Sequence, residues 1–399
     1  MNDYVTQFRN KMTYYWLSAH FADLGKFSAQ VVSVARKEGD AVVQAAATLG
    51  VARHLRATGR FRMARAGAES SYAQAEALGN APLMADALIE RARIMLEGYF
   101  DPLEARSDLE QALALATGVH YVEGETLAYV GVARAELLMD NPEKALSWAD
   151  NALKIAREHF DNLALAEAGL ARGLALIALR RPKEADHALD DTLTLCKRLD
   201  YNVYRPLIAL AILMNQPRYT PEHLRILRAY ATGDQWRDHF AVRWLAFETL
   251  THAHLVMEAS NLPNAALRTV DHLRELAVEA EHPPLMMAYL RWMAYLLSEH
   301  GTPADRADAP KFAADWLALA QEHHNPFQQM LAHAALGMTH AQIGQARRAY
   351  EGYREARRLA QSLDIARMSR LFTVQMLLSG LVWQIQRVLG WLGLRRRVD

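Results

Sequence analysis

Apolar and small residues recur along the chain at helical spacing, and the helices they predict come in pairs. Leu163, Leu165, Ala166, Leu170, Leu174, Ile177 and Ala178 precede the turn Arg180-Arg181-Pro182, and Ala185, Leu189, Leu193 and Cys196 follow it. Equivalent turns stand at Thr58-Gly59-Arg60-Phe61, Asp140-Asn141-Pro142 and Ile343-Gly344-Gln345, with weaker forms at Glu97-Gly98, Asn261-Leu262-Pro263 and His300-Gly301-Thr302-Pro303. Gly or Asn just past a helix end closes it in the left-handed conformation, and Pro cannot continue it. Small residues bracket these turns at a fixed offset of 12: Ala52 and Ala64, Ala133 and Ala145, Gly173 and Ala185, Gly337 and Ala349. The leading members lie 81, 40 and 164 residues apart, which is two, one and four units of about 40. Small residues let two helix backbones approach, so each unit is expected to be an antiparallel hairpin that buries its apolar faces only when neighbours stack on it.

The predicted units run over 41–80, 81–120, 121–161, 162–200, 201–236, 237–282, 283–325 and 326–364. The fifth is short and broken by Asn215-Gln216-Pro217-Arg218-Tyr219-Thr220-Pro221, which places a sub-array over 40–214 and another over 215–365. Residues 1–39 are expected to be N-terminal capping helices, with Tyr14, Tyr15, Trp16 and Phe21 packing on the first unit. The polar stretch Gly301–Pro310 reads as a surface loop. Residues 366–399 form a separate segment, an apolar helix with an arginine tail.

The pattern resembles the tetratricopeptide repeat (TPR) family. Leu336-Gly337, Gly344, Ala349, Tyr353 and Ala356 stand at that repeat's consensus places, as do Ala133, Ala145, Ala149 and Ala152 in a second unit and Ala52, Gly59, Phe61 and Ala64 in a third. The consensus aromatic of the first helix is replaced by Leu55, Glu136 and Leu176. The unit of about 40 residues is similar to the longer-helix variety of bacterial maltose-activator-type regulators and kinesin light chains. The resemblance implies an all-α, right-handed α-solenoid of seven or eight TPR-like hairpins whose concave face is lined by the first helix of each unit. The residue after each first-helix small position then gives Arg53, Arg93 and Arg134, followed by Leu174, His254, Tyr295 and Met338, as the groove. Three guanidiniums in a row suit carboxylates of another protein or an acidic peptide segment, with Tyr295 and Met338 as apolar anchors. The competing reading pairs each arginine with an acidic neighbour such as Glu90 or Glu136, for stability.

Composition supports helix. Of 399 residues, 69 are Ala and 56 Leu, whereas Gly and Pro contribute 20 and 13. Forty-five basic residues balance 45 acidic ones, so no global field recruits nucleic acid. A single cysteine, Cys196, forms no internal disulfide and sits on an apolar stripe with Leu189 and Leu193, where it reads as a small hydrophobe. Met1-Asn2-Asp3-Tyr4-Val5 lacks the basic and apolar regions of a secretory signal, and a cytoplasmic location is the expectation. Phosphate-binding, nucleophile-elbow and zinc-helix motifs are missing, and the strand-to-helix turns they need are not predicted. His252 and His254 point about 200° apart on a helix, and Glu322-His323-His324-Asn325 fits a helix C-terminus, so no metal or cofactor is expected.

The segment Leu371–Leu394 is far more apolar than the repeats, but Gln375, Gln384, Gln386 and Arg387 interrupt it. Three readings compete: a terminal helix docked on the last repeat or on a second copy, an in-plane membrane helix with Trp383, Trp391, Arg395, Arg396 and Arg397 at the headgroups of the inner membrane face, and a true span. The functional expectation is a non-enzymatic interaction scaffold or adaptor. The alternatives are the ligand- or peptide-sensing region of a bacterial regulator and a membrane-associated assembly factor tethered by residues 371–397.

Overall fold

Left-handed residues fall about every twenty positions from Ala19 to Asp200 and again from His324 to Asp364. In the computed structural model, which describes residues 3–257, 264–279 and 282–391, positive φ falls at Ala19, Gly39, Gly59, Gly79, Phe100, His120, Asp140, Phe160, Arg180, Asp200, His324, Gly344 and Asp364. Most close a helix by the same pair of hydrogen bonds, whereas at Phe100 its own N–H and that of Asp101 both run to Met95 O. Arg60 N donates to Leu55 O at 2.8 Å and Gly59 N to Arg56 O at 3.0 Å, and Asn80 N with Gly79 N repeats the pattern onto Ala75 O and Glu76 O. The next residue frequently caps the following helix: Asp40, Asn80, Asp101, Asp161 and Asn325 side chains accept backbone N–H groups of the first turn. Helices of 17 residues joined by three-residue links make the period.

All described regular structure is helical, and the chain divides into two compact units, residues 1–256 with 280–282 and residues 257–279 with 283–399. The first unit holds α1 (Asp3–Leu17), α2 (Phe21–Glu38), α3 (Ala41–Ala57), α4 (Phe61–Ala77), α5 (Ala81–Ile94), α6 (Pro102–Gly118), α7 (Val122–Leu138), α8 (Pro142–Glu158), α9 (Asn162–Ala178), α10 (Pro182–Arg198), α11 (Arg205–Met214), α12 (Pro221–Thr232) and most of α13 (Phe240–Met257). The second holds α14 (Asn264–Glu279), α15 (Pro283–His300), α16 (Pro303–Glu322), α17 (Pro326–Gln342), α18 (Ala346–Ser362) and α19 (Ala366–Trp391). Each of the eight intervals read from the sequence contains two helices. Consecutive helices from α1 to α12 pack on one another in the first unit, as do those from α14 to α19 in the second, and first helices of successive hairpins also touch, α3 on α5, α5 on α7, α7 on α9 and, in the second unit, α15 on α17. That stacking is a TPR-like α-solenoid.

All eight offset-12 small residues are buried. The closest approaches run at a different offset: a Cβ on Gly67 would stand 3.2 Å from Ala52 Cβ, and one on Gly352 would stand 2.7 Å from Gly337 N, both pairs fifteen apart. Two turn readings are corrected. Gly301–Pro310 is largely helix rather than loop, because Thr302 and Asp305 form a reciprocal capping box, Pro303 takes the first turn, and Pro310 lies inside α16. Gly98 does not close a helix. It lies in a π-type turn, Met95–Tyr99, that extends α5, and a Cβ there would reach 2.3 Å from the Phe61 ring, so Phe100 takes the left-handed role. The π turn holds one extra residue, which is why the interval from Gly79 to Phe100 is one longer than its neighbours.

The N-terminal helices pack more widely than expected. Met12, Leu24, Val31 and Ala35 cluster with Val43 and Ala47 of α3, while Phe21 joins Leu189, Val203, Tyr204 and Ile208 of later hairpins. Val203 N donates to Leu17 O at 3.1 Å. Tyr14, expected in this packing, is 60% exposed. The first unit therefore closes on itself, and the start of α13 completes it through Phe240 against Phe61 and Trp244 against Phe100.

Candidate functional site

Closure leaves a cavity of about 250 Å³ inside the first unit. Its wall comes chiefly from first helices of successive hairpins: Arg56 and Ala57 of α3, Arg93 of α5, Val130, Arg134, Leu137 and Leu138 of α7, Glu167, Leu170, Ala171 and Leu174 of α9, Tyr204 and Leu207 at α11, and Phe240, Ala241, Trp244 and Leu245 of α13. Leu96 and Glu97 enter from the π turn, Val203 and His239 from the links before α11 and α13, and Trp16 and Phe21 from the N-terminal helices. Apolar side chains dominate, as in a small-ligand or side-chain pocket.

The polar part is a chain of ion pairs across hairpins. Arg56 donates through Nε to Glu90 Oε1 at 2.6 Å and through Nη1 to Glu97 Oε2. Arg134 Nη2 donates to the other Glu97 oxygen at 2.8 Å. Arg93 Nη2 donates to Glu167, whose second oxygen accepts from the Tyr204 hydroxyl. Trp16 Nε1 donates to Tyr204 Oη at 3.4 Å, and the Arg56 guanidinium lies 5.0 Å from the Trp16 ring centre. The extra residue of the π turn sets Glu97 between Arg56 and Arg134, which come from hairpins on either side of it.

Burial and charge pull against each other here, and charge wins. Burial alone would lower the Arg56 pKa, but Glu90 and Glu97 raise it above the usual arginine value. Burial would raise Glu97, yet Arg56 and Arg134 hold its carboxyl down at about 2. Arg93 is raised by Glu167 against its own burial, and Tyr204 is pushed well up by burial and by Glu167. His239 is held at about 4 by burial, and His282, against Phe61 and Phe240, at about 3.

The residues read from the sequence separate into groups. Arg93, Arg134 and Leu174 meet in the cavity wall. Arg53 lies outside it, its Nε 3.7 Å from Glu90 Oε2, and so reaches the network through the carboxylate it shares with Arg56. The acidic-neighbour reading describes all three arginines, with Glu90, Glu97 and Glu167 as partners; Glu136 instead faces Arg106. His254 is buried on α13, its Nε2 3.4 Å from Arg228 Nη2, and does not line the cavity. Tyr295 and Met338 belong to the second unit, Tyr295 beside Trp292 on α15 and Met338 half-buried on α17. Trp383 of α19 stands against Tyr350, ring centres 5.9 Å apart. The side chain of Trp391, and Arg395, Arg396 and Arg397 altogether, lie outside the described residues. Among the described residues no three His, Cys, Asp or Glu groups stand where they could hold a metal ion. Cys196 is buried and its thiol is pushed up to about 11 by burial.

Arg56, Glu97, Glu167, Tyr204 and Trp16 were missed. Arg56 had a signal: it lies three residues after Arg53 on the same helix, so the two share a face. Trp16 and Tyr204 had none, because 188 residues separate them.

No protein-family model matches the chain, and no curated protein does. Among solved structures, it is similar to a Rap protein complexed with competence and sporulation factor, at 15% identity over 90% of this chain and 86% of that one, with a TM-score of 0.47. It is also similar to a signal transduction ATPase with numerous domains that carries a tetratricopeptide repeat sensor, from Pyrococcus horikoshii, at 13% identity over 88% of this chain and 55% of that one, with a TM-score of 0.42. A circular tandem repeat protein with novel repeat topology aligns at 14% identity over 91% and 92% of the two chains, with a TM-score of 0.22. The hairpin stacking described above, rather than these alignments, establishes the architecture as TPR-like.

Proposed function

We propose that the first unit is a non-enzymatic interaction module that holds a segment of a partner protein in its cavity. A carboxylate of the segment meets Arg93 and Arg134, and a large apolar side chain seats among Leu137, Leu170, Leu174 and Trp244. One observation carries this reading: inside an apolar wall and among the described residues, the guanidiniums of Arg56, Arg93 and Arg134 pair with just the carboxylates of Glu97 and Glu167, with Glu90 shared between Arg56 and Arg53. The network is one negative charge short, and a charge-assisted, bidentate carboxylate is the group that guanidiniums bind best. Binding rather than catalysis fits the pKa directions, since Glu97 stays ionised, Tyr204 protonated and His239 neutral at pH 7, leaving no group poised to exchange a proton there. The small volume also favours a second reading, capture of a small apolar carboxylic acid by a sensing unit.

The test is affinity capture by the full chain followed by mass spectrometry, alongside Arg134→Ala and, as a surface control, Arg172→Ala. Arg134 is one-third exposed and its loss leaves Glu97 paired with Arg56, so the fold survives. Partners lost with Arg134→Ala and kept with Arg172→Ala support the cavity; partners kept by both variants overturn it. A small ligand reveals itself instead as a rise in melting temperature when short apolar carboxylic acids are added without protein partner.

A further inference from the structure

The last described helix presents an apolar face that its own unit leaves uncovered. α19 seats Phe372, Met376 and Ser379 inward, all buried, and packs on α18, with Trp383 against Tyr350 and Gln386 Nε2 donating to Gly344 O at 3.2 Å. The opposite side carries Leu371, Val374, Leu377, Leu378, Leu381 and Ile385, each 50–61% exposed. Their spacing of three, four and seven puts them on one stripe roughly 21 Å long. Isolated exposed leucines are ordinary, whereas a continuous stripe of them marks a contact surface.

Charge identifies what covers it. The chain has zero net charge, yet residues 346–398 contain eleven arginines, no lysine and only three carboxylates, Glu351, Glu355 and Asp364. From 366 to 399 there are six arginines and a single acidic residue, Asp399. A second copy of this face would bring two such cationic segments together with too few carboxylates to compensate them. An anionic bilayer receives both features at once: the aliphatic stripe enters the headgroup–acyl boundary, and the guanidiniums meet phosphates. No described helix is long and apolar enough to cross a membrane.

We propose that the outward face of α19 and its flanking arginines dock the second unit on an anionic lipid surface. This rests on α19 and the arginines around it in sequence, and is independent of the cavity in the first unit. The test is flotation of the full chain with phosphatidylcholine vesicles, with and without phosphatidylglycerol, at low and high salt. Binding only to phosphatidylglycerol vesicles, weakened by salt, is expected. Leu377→Glu with Leu381→Glu should abolish it, and Arg395→Gln with Arg396→Gln and Arg397→Gln should weaken it about a hundredfold, with unchanged circular dichroism in the glutamate variant because Leu377 and Leu381 are exposed. The proposal is overturned if the chain fails to float with phosphatidylglycerol at low salt. It is equally overturned if the glutamate pair leaves flotation intact, or if that pair converts a dimer to a monomer in vesicle-free sedimentation, which would assign the face to a second copy.

Discussion

The ion pairs of the two units are built on different scales of sequence. In the first unit Arg56, Arg93 and Arg134 reach carboxylates 34 to 74 residues away, on other hairpins and beneath the surface. In the second, the described Lys311–Asp308, Arg347–Glu351 and Arg358–Glu355 pairs join residues three or four apart on single helices, with much of each side chain in solvent. Both units use the same helical period. The first adds to surface pairs of its own, such as Arg106–Glu110 and Arg225–Glu222, a set turned inward that ties hairpins together around a cavity; the described pairs of the second stay on its surface, where they support individual helices. A buried pair costs desolvation that only its partner offsets, whereas an exposed pair contributes little either way.

The sharpest break of that contrast is Glu90→Ala. Glu90 is 1% exposed, and removing it strips Arg56 of one partner and Arg53 of its nearest carboxylate. A loss of about 3–5 kcal/mol is expected in urea unfolding of the first unit. The matching deletion in the second unit, Glu355→Ala, should cost under about 1 kcal/mol.

Acid should separate the units next. His239 and His282 have folded pKa values of about 4 and about 3, below the unfolded 6.5. Between those limits the unfolded chain binds more protons than the folded one, so stability rises with pH and is lost as pH falls below 6.5. Each histidine contributes a slope approaching about 1.4 kcal/mol per pH unit. Glu97 acts in the same direction over a lower window, because its stabilisation is full above the unfolded 4.5 and is lost as pH falls through about 2. Melting followed from pH 7 to pH 4 should show the first unit weakening, and His239→Gln should flatten its slope.

Packing is expected to give a smaller effect. Gly352→Ala would push a methyl to 2.7 Å from Gly337 N, where backbone cannot yield easily, at a cost of about 1–3 kcal/mol in thermal unfolding of the second unit. Gly67→Ala, whose methyl would meet another methyl at 3.2 Å, should cost less than Gly352→Ala. The smallest change is stabilising: Phe160 is 87% exposed with φ 54°, and Phe160→Gly should relieve up to about 1 kcal/mol of left-handed strain.

The repeat was legible because burial imposes it. Helical apolar spacing and small residues at fixed offsets yield eight hairpins whose described helices fall within the expected intervals. The turns were only half legible. Gly39, Gly59, Gly79 and Gly344 announce left-handed positions, and Pro182 marks the turn at Arg180, but Phe100, His120 and Phe160 occupy the same conformation with no compositional sign; at His120 and Phe160 the following N–H closes the turn on Ala116 O and Ala156 O, and at Phe100 on Met95 O. Gly98 misled for the converse reason: it is small because the Phe61 ring fills its space. At the site, periodicity located Arg93, Arg134 and Leu174, since they share a repeat position. It could not locate Glu97, which a local π turn reorients, or Trp16 and Tyr204, which meet only because the first unit closes on itself. The same period carried His254, Tyr295 and Met338 into the reading, although His254 does not line the cavity and the other two belong to the second unit.

The most direct measurement is of carboxylate dependence. An array of apolar peptides bearing Asp, Glu or a free C-terminus, each paired with its amide analogue, is probed with the full chain and with Arg134→Ala. The account predicts that peptides bind as carboxylates, lose binding as amides, and lose it again with Arg134→Ala. Equal binding of acids and amides, or binding untouched by Arg134→Ala, would contradict it.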